Sequence, residues 1–257
     1  MTTKIDLAHV RVILNKPRYP ENIGAAARAV RNMGIQRLAV VQPENPLEDR
    51  IRMMATHAAG DVVDRMATFD SLADALKDCQ YVVGTTARLG GQRQNVLNPD
   101  MMARKLIPIS RENEIAMVFG PEDRGLTNDE LRMCHALINI PTAEFSSLNL
   151  AQAVMVVCYE LFKADEREPG TSVPRLANRH ELDSMYAQLK DILVRISYIN
   201  PENPEYWLNH MRQFLTRIQL RAREVSIIRG LCRQVDWYAR KNFEDGVEEG
   251  RRQANEE

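Results

Sequence analysis

The chain has 257 residues, 44% hydrophobic and 27% charged, with 34 Lys and Arg against 35 Asp and Glu, a net charge of -1. This composition excludes wholesale disorder, and the lack of any run of about 18 apolar residues excludes a membrane-spanning helix. Residues 1–14 show no basic segment leading into an apolar stretch, so no secretory leader is expected. The four cysteines (Cys79, Cys134, Cys158, Cys232) lie far apart with no CxxC pair, which argues against a disulfide framework or a zinc site and fits a reducing cytoplasm.

The first 163 residues alternate between apolar runs and helical patterns. Val10–Leu14 reads as a strand, ended by Lys16-Pro17, and Ile23–Met33 as an Ala-rich helix closed by Gly34. Leu38–Val41 is a second strand, Leu72–Leu76 a short helix and Tyr81–Gly84 a third strand. Ile115–Gly120 is a fourth strand, Asn128–Met133 a helix, Leu137–Pro141 a fifth strand and Ser147–Lys163 a long apolar helix, with Ser147 or a neighbour as its cap. Continuously apolar strands alternating with helices predict an α/β domain over 1–163, a parallel sheet covered on both faces. Ligands in such sheets bind beyond the carboxyl ends of the strands, so chemistry is expected in 22–28, 84–88, 120–127 and 140–149.

Residues 164–179 are charged and then rich in Pro, Gly and Ser, and read as a linker. From His180 the pattern is helical: Glu181–Ile199, Tyr206–Ile218 and Ala222–Tyr238. The 180–241 segment is thus a small helical domain, and the 242–257 tail, with six acids and two arginines, is expected to be disordered. The near-zero total charge hides a polarity, because Met211–Lys241 carries eight bases against two acids, seven of the bases being Arg. Arginine forks suit phosphate, so this run, with Arg217, Arg221, Arg229 and Arg233, is a candidate nucleic-acid-binding face; a merely solvated helix face is the plain alternative.

Three constellations stand out. Gly120-Pro121-Glu122-Asp123-Arg124-Gly125-Leu126-Thr127 brackets a charged turn between two glycines, a geometry that lets backbone approach a ligand. Ile140-Pro141 leads to Ser146-Ser147-Leu148-Asn149, where a helix cap accounts for one polar residue but not the set. Asn22-Ile23-Gly24-Ala25-Ala26-Ala27-Arg28 opens the first helix, with Asn22 a possible cap. No GxGxxG, GxxxxGK[ST] or GxSxG occurs, and the five scattered histidines suggest no metal site.

In this order and spacing, the three constellations resemble the SPOUT superfamily of knotted methyltransferases, and within it the TrmH-like ribose 2′-O-methyltransferases, over residues 8–163. The turn Gly84-Thr85-Thr86-Ala87-Arg88, and Asn209–Arg212 and Ile227–Leu231 in the C-terminal part, resemble the bacterial TrmJ type. The resemblance implies a C-terminal trefoil knot, S-adenosylmethionine as methyl donor, no metal, a homodimer with active sites at the subunit interface, and tRNA methylated on the ribose of cytidine or uridine 32. Carried over residue by residue, Thr85, Thr86, Ala87, Gly120, Ile140, Ser147, Leu148 and Asn149 would hold the donor. Arg28, Asn22, Glu122, Ser147 and Asn149 would serve the reaction.

The family is often described with Arg28 as base, but a guanidinium stays protonated in a protein. Arg28 is better read as clamping the neighbouring phosphate and lowering the 2′-OH pKa, while the proton leaves through phosphate or water. Asn22 would orient Arg28 or the ribose, and Glu122 would fix its loop and face Arg28 across the interface. Two other readings fit the motifs: a ribose methyltransferase for ribosomal RNA or another tRNA position, and a non-catalytic nucleotide- and RNA-binding module.

Overall fold

The computed structural model describes residues 3–87, 96–143, 148–165 and 172–254. Two compact units divide the chain, Met1–Arg179 and His180–Glu257.

The first unit carries seven strands among its described residues: β1 (Val10–Asn15), β2 (Arg37–Val41), β3 (Ala67–Phe69), β4 (Tyr81–Thr85), β5 (Val96–Leu97), β6 (Ile115–Phe119) and β7 (Ala136–Ile138). All pair in parallel, in the order β3-β2-β1-β6-β4-β7-β5. The expected parallel α/β sheet is therefore present, with two strands more than the five read from sequence. Both additions are short and lie at the sheet's edges. β6 inserts between β1 and β4, and β7 between β4 and β5, so the chain twice returns between strands already laid down.

Register brings the strand ends that matter to one level. Leu14 pairs with Phe119, Gly84 with Val118, and Thr85 with Ile138. Alternate residues go to opposite faces. Val12, Leu14, Val83 and Met117 pack with Ile23, Leu106 and Val157 from α1 (Pro20–Asn32), α5 (Pro99–Ser110) and α7 (Leu150–Lys163). Ile13, Val82, Ala116 and Val118 pack on the other side with Leu72 and Leu76 of α4 (Leu72–Leu76). Burying each such side chain stabilises the sheet by about 1.5–3 kcal/mol, which explains why both faces of the central strands are apolar. The shorter helices α2 (Glu48–Ala55), α3 (Gly60–Asp64) and α6 (Asn128–Leu131) complete the unit.

Several boundaries differ from the sequence reading. α1 starts at Pro20, whose fixed φ suits the first turn, so Asn22 is the helix's third residue and not its cap. α7 starts at Leu150, capped by the Asn149 side chain, which accepts from the amides of Ala151 and Gln152. Ser146 and Ser147 lie outside the described residues. The second half of the expected linker is anchored. Asn113 Nδ2 donates to the Val173 carbonyl at 3.0 Å, its Oδ1 accepts from the Leu176 amide at 2.7 Å, and Leu176 and Ala177 are buried.

The second unit consists of α8 (Arg179–Arg195, whose first residue belongs to the first unit), α9 (Pro204–Ile218) and α10 (Ala222–Ala254). Leu182, Met185, Tyr186, Leu208, Leu215, Val225 and Cys232 form its buried side. The tail expected to be disordered from residue 242 instead extends α10 to Ala254. Its Glu, Gln, Arg and Ala are good helix formers, Glu248 stands one turn before Arg252, and arginines near a helix end complement its dipole.

Candidate active site

The loops after β4, β6 and β7 converge. Thr85 Oγ1 donates to the Val118 carbonyl at 3.1 Å, the Thr86 amide to the Ile138 carbonyl at 2.9 Å, and Asn139 Nδ2 to the Thr86 carbonyl at 2.9 Å. These bonds hold the loop after β4 between its two neighbours. They also occupy the Thr85 hydroxyl, leaving mainly backbone to face the opening.

A cavity of about 300 Å³ opens there, lined by Thr85, Thr86 and Ala87, by the whole Gly120–Leu126 turn, by Ile138, Ile140 and Leu148, and by Leu150 and Ala153 of α7. Its size suits a small organic molecule. Gly120 is required by the turn itself, since a Cβ there would lie 2.4 Å from both the Gly125 carbonyl carbon and the Leu126 nitrogen. The turn then closes on Thr127, which caps α6 in a reciprocal bond with Glu130.

Beside the cavity runs a chain of polar contacts. Glu122 accepts from Asn22 Nδ2 at 2.7 Å on one oxygen and from the Arg18 amide at 3.0 Å on the other. Asn22 Oδ1 in turn accepts from Asn149 Nδ2 at 2.9 Å. The start of α1, the turn that carries Glu122 and the start of α7 are thus tied through one buried amide, Asn22. A second tie runs from the end of β1, where Asn15 Nδ2 donates to Glu130 Oε1 at 2.8 Å. Burial alone would raise the Glu130 carboxyl, but bonds from the Thr127 backbone and the Asn15 amide, with Lys16 nearby, hold it below its ordinary value.

Of the residues expected to hold a donor, Thr85, Thr86, Ala87, Gly120, Ile140 and Leu148 line the cavity; Asn149 does not, being used for capping and for Asn22. Ser147 falls outside the described residues. Arg28 is exposed on α1 and makes no hydrogen bond or ion pair among the described residues. Asn22 bonds to Glu122 and Asn149 and not to Arg28, which lies six residues further, about 120° around the helix and about 9 Å along it. In the second unit Arg217, Arg221 and Arg233 are exposed, while Arg229 Nε donates to Gln188 Oε1 at 3.0 Å.

Sequence reasoning missed Arg18, whose guanidinium meets Glu44 at 3.3 Å and Asp123 at 3.2 Å, and the Asn15–Glu130 tie. The only available signal was proximity to strand ends.

An RNA-methylating enzyme is what this fold and cavity define: residues 9–159 match the SpoU rRNA Methylase family, and the chain belongs to that family. A second family model, the C-terminal domain of the tRNA methyltransferase TrmJ, matches residues 180–245. The chain is 35% identical to the tRNA (cytidine/uridine/adenosine-2′-O-)-methyltransferase TrmJ of Pseudomonas aeruginosa, over 91% of this chain and 96% of that one. It is 33% identical to the tRNA (cytidine/uridine-2′-O-)-methyltransferase TrmJ of Photorhabdus laumondii, over 91% and 100%. The crystal structure of TrmJ from Z. mobilis ZM4 superposes with a TM-score of 0.76 at 32% identity, covering 88% of this chain and 98% of that one. The TrmJ-type resemblance read from sequence is borne out.

Proposed function

We propose that the enzyme methylates the ribose 2′-oxygen of cytidine or uridine at position 32 of the tRNA anticodon loop, with S-adenosylmethionine as donor. The observation that carries this is the convergence of three backbone-rich loops on one cavity, tied by Asn22 to the helix that bears Arg28. Thr86, Ala87, Gly120, Ile140 and Leu148 hold the donor, and Ser147 is assigned to the same pocket by family resemblance. The bound donor supplies a methyl group already activated on a sulfonium, so no metal is needed.

A ribose hydroxyl is a weak acid, and the chain's own residues must place its oxygen and ease loss of its proton. Arg28 clamps the adjacent phosphate, and its positive field favours the alkoxide; the proton leaves through phosphate or water. Glu122, Asn22 and Asn149 act on position, holding the turn, α1 and the start of α7 as one piece.

The working form is a homodimer. Val156, Tyr159 and Phe162 are exposed on α7, which packs beside α1, so an apolar surface adjoins the helix that carries Arg28. The doubled return of the chain through the sheet supports the trefoil knot of the family. Arg217, Arg221 and Arg233 grip tRNA phosphates, with Arg229 holding α10 to α8. Among the described residues no helix is long and apolar enough to cross a membrane, and a tRNA substrate would place the enzyme in the cytoplasm.

Labelled donor incubated with unmodified tRNA transcripts, followed by mapping of the methylated ribose, tests the reading. A 2′-O-methyl at position 32 is expected. Label at another ribose would overturn the position, and no label in tRNA would redirect the search to ribosomal RNA.

A further inference from the structure

We infer that Tyr19 is a stacking platform for the base of the nucleotide whose ribose is methylated. The inference rests on reading the first unit's cavity as an RNA methylation site.

Tyr19 lies in the turn from β1 into α1, with 54% of its surface exposed. It occupies the cap position of α1 with extended backbone, yet its side chain makes no capping hydrogen bond. Such positions favour Ser, Thr, Asn or Asp, whose oxygens satisfy a free helix amide, so the phenol contributes nothing to the helix start. Nor does the ring stack on another ring or its hydroxyl hydrogen-bond among the described residues.

The backbone around this ring is held firmly. Pro17 and Pro20 flank it, fixing φ on either side. The Arg18 amide donates to Glu122 at 3.0 Å, and the Tyr19 carbonyl accepts from the Asn22 amide at 3.0 Å. The residues on both sides are therefore tied to the carboxylate that lines the cavity. An exposed aromatic ring on rigid backbone is what a displaced base requires, because every base has a π-face and the ring loses little freedom on stacking.

The charges nearby suit the same ligand. Asp123, which lines the cavity, accepts from Arg18 at 3.2 Å and from Arg124 at 3.5 Å, and Glu44 meets Arg18 at 3.3 Å, so two carboxylate-paired guanidiniums stand beside the turn for the backbone of a bound strand. The other exposed rings among the described residues of the first unit, Tyr159 and Phe162, lie on α7, and Lys163 covers the Tyr159 ring at 5.3 Å. Among the described residues of the first unit, Tyr19 alone joins exposure to attachment at Glu122.

The test compares full-length wild type, Tyr19→Phe and Tyr19→Ala. Methyl transfer to tRNA is measured together with binding of S-adenosylhomocysteine and quenching of a fluorescent cytosine analogue at the methylated position. Tyr19→Ala is expected to lower kcat/KM for tRNA about tenfold or more and to abolish the quenching, with Tyr19→Phe retaining both and all three proteins binding S-adenosylhomocysteine equally. Wild-type behaviour of Tyr19→Ala would overturn the stacking role, as would equal loss in Tyr19→Phe, which would assign the effect to the hydroxyl. Weakened S-adenosylhomocysteine binding in Tyr19→Ala would make the residue structural. A wild type that methylates no RNA would bring down the reading of the cavity itself, and this inference with it.

Discussion

Two glycines bracket the turn that lines the cavity, and they should respond differently to one added methyl group. A Cβ at Gly120 would lie 2.4 Å from the Gly125 carbonyl carbon and the Leu126 nitrogen, and 2.8 Å from the Gly125 Cα. All three neighbours are backbone, and comfortable separations are about 3.5–4.0 Å, so the turn must open by about 1 Å. Overpacking of this kind costs about 1–3 kcal/mol. At Gly125 the added group would meet nothing within 4 Å; only the left-handed φ of +67° opposes it, a penalty of about 1–2 kcal/mol. Gly120→Ala and Gly125→Ala should therefore lose similar stability in urea unfolding and part company in binding. Calorimetric titration with S-adenosylhomocysteine should show Gly120→Ala weakened about tenfold or more, the equivalent of about 1.4 kcal/mol, while Gly125→Ala binds nearly as wild type. Equal losses of affinity, or an unaffected Gly120→Ala, would refute the claim that closure of this turn shapes the cavity.

Asn22→Ala removes one hydrogen bond to a carboxylate and one between amides, about 3 kcal/mol together; urea unfolding should show that loss, and the double variant with Asn149→Ala should cost less than the sum of the single changes, whereas strict additivity would sever the link between them. A pH effect is expected at His135, which stacks on Tyr81 at 5.2 Å and accepts from the Val82 amide at 3.1 Å. Burial, then the positive charges of Arg179 and Lys105, push its imidazole down to about 4. Between about 6.5 and 4 the unfolded chain binds the extra proton, so acidification through that window destabilises the fold, by about 3 kcal/mol at most. His135→Asn keeps an acceptor for the Val82 amide and cannot titrate there; its Tm should fall less between pH 7 and pH 4.5 than that of the wild type, and parallel curves would exclude His135 as the source.

The parts of this molecule visible in its sequence are those governed by local rules. β1, β2, β4, β6 and β7 announce themselves because burial on both faces demands unbroken apolar runs. The loops after them are identifiable because parallel sheets place ligands there. β3 is an edge strand with Ala67 and Thr68 exposed, and β5 is two residues long, so neither carries a pattern. α5 is obscured by Pro108, which sits inside the helix. The start of α1 was misplaced because Asn22 is a good cap by type, while Pro20 was already committed to the first turn. The hidden part of the site is its wiring. Asn22 meets Glu122 across 100 residues and Asn149 across 127, and no local propensity encodes such contacts.

That wiring bears on where Arg28 acts. Asn22 is fixed toward Glu122, and Arg28 follows about 9 Å along α1 and about 120° around it. Arg28 is exposed and is not among the residues that line the cavity of its own chain. The arrangement makes sense if each Arg28 serves the cavity of a second copy. Mixing two impaired variants tests this, at a donor concentration too low to load Gly120→Ala appreciably. In a mixed dimer of Arg28→Ala and Gly120→Ala, one site combines the sound cavity of the first chain with the sound Arg28 of the second. Random pairing makes half the dimers mixed, each with one of two sites complete, so about a quarter of wild-type activity should return. If Arg28 instead served its own chain's cavity, every site in the mixture would carry a defect and no activity would be recovered.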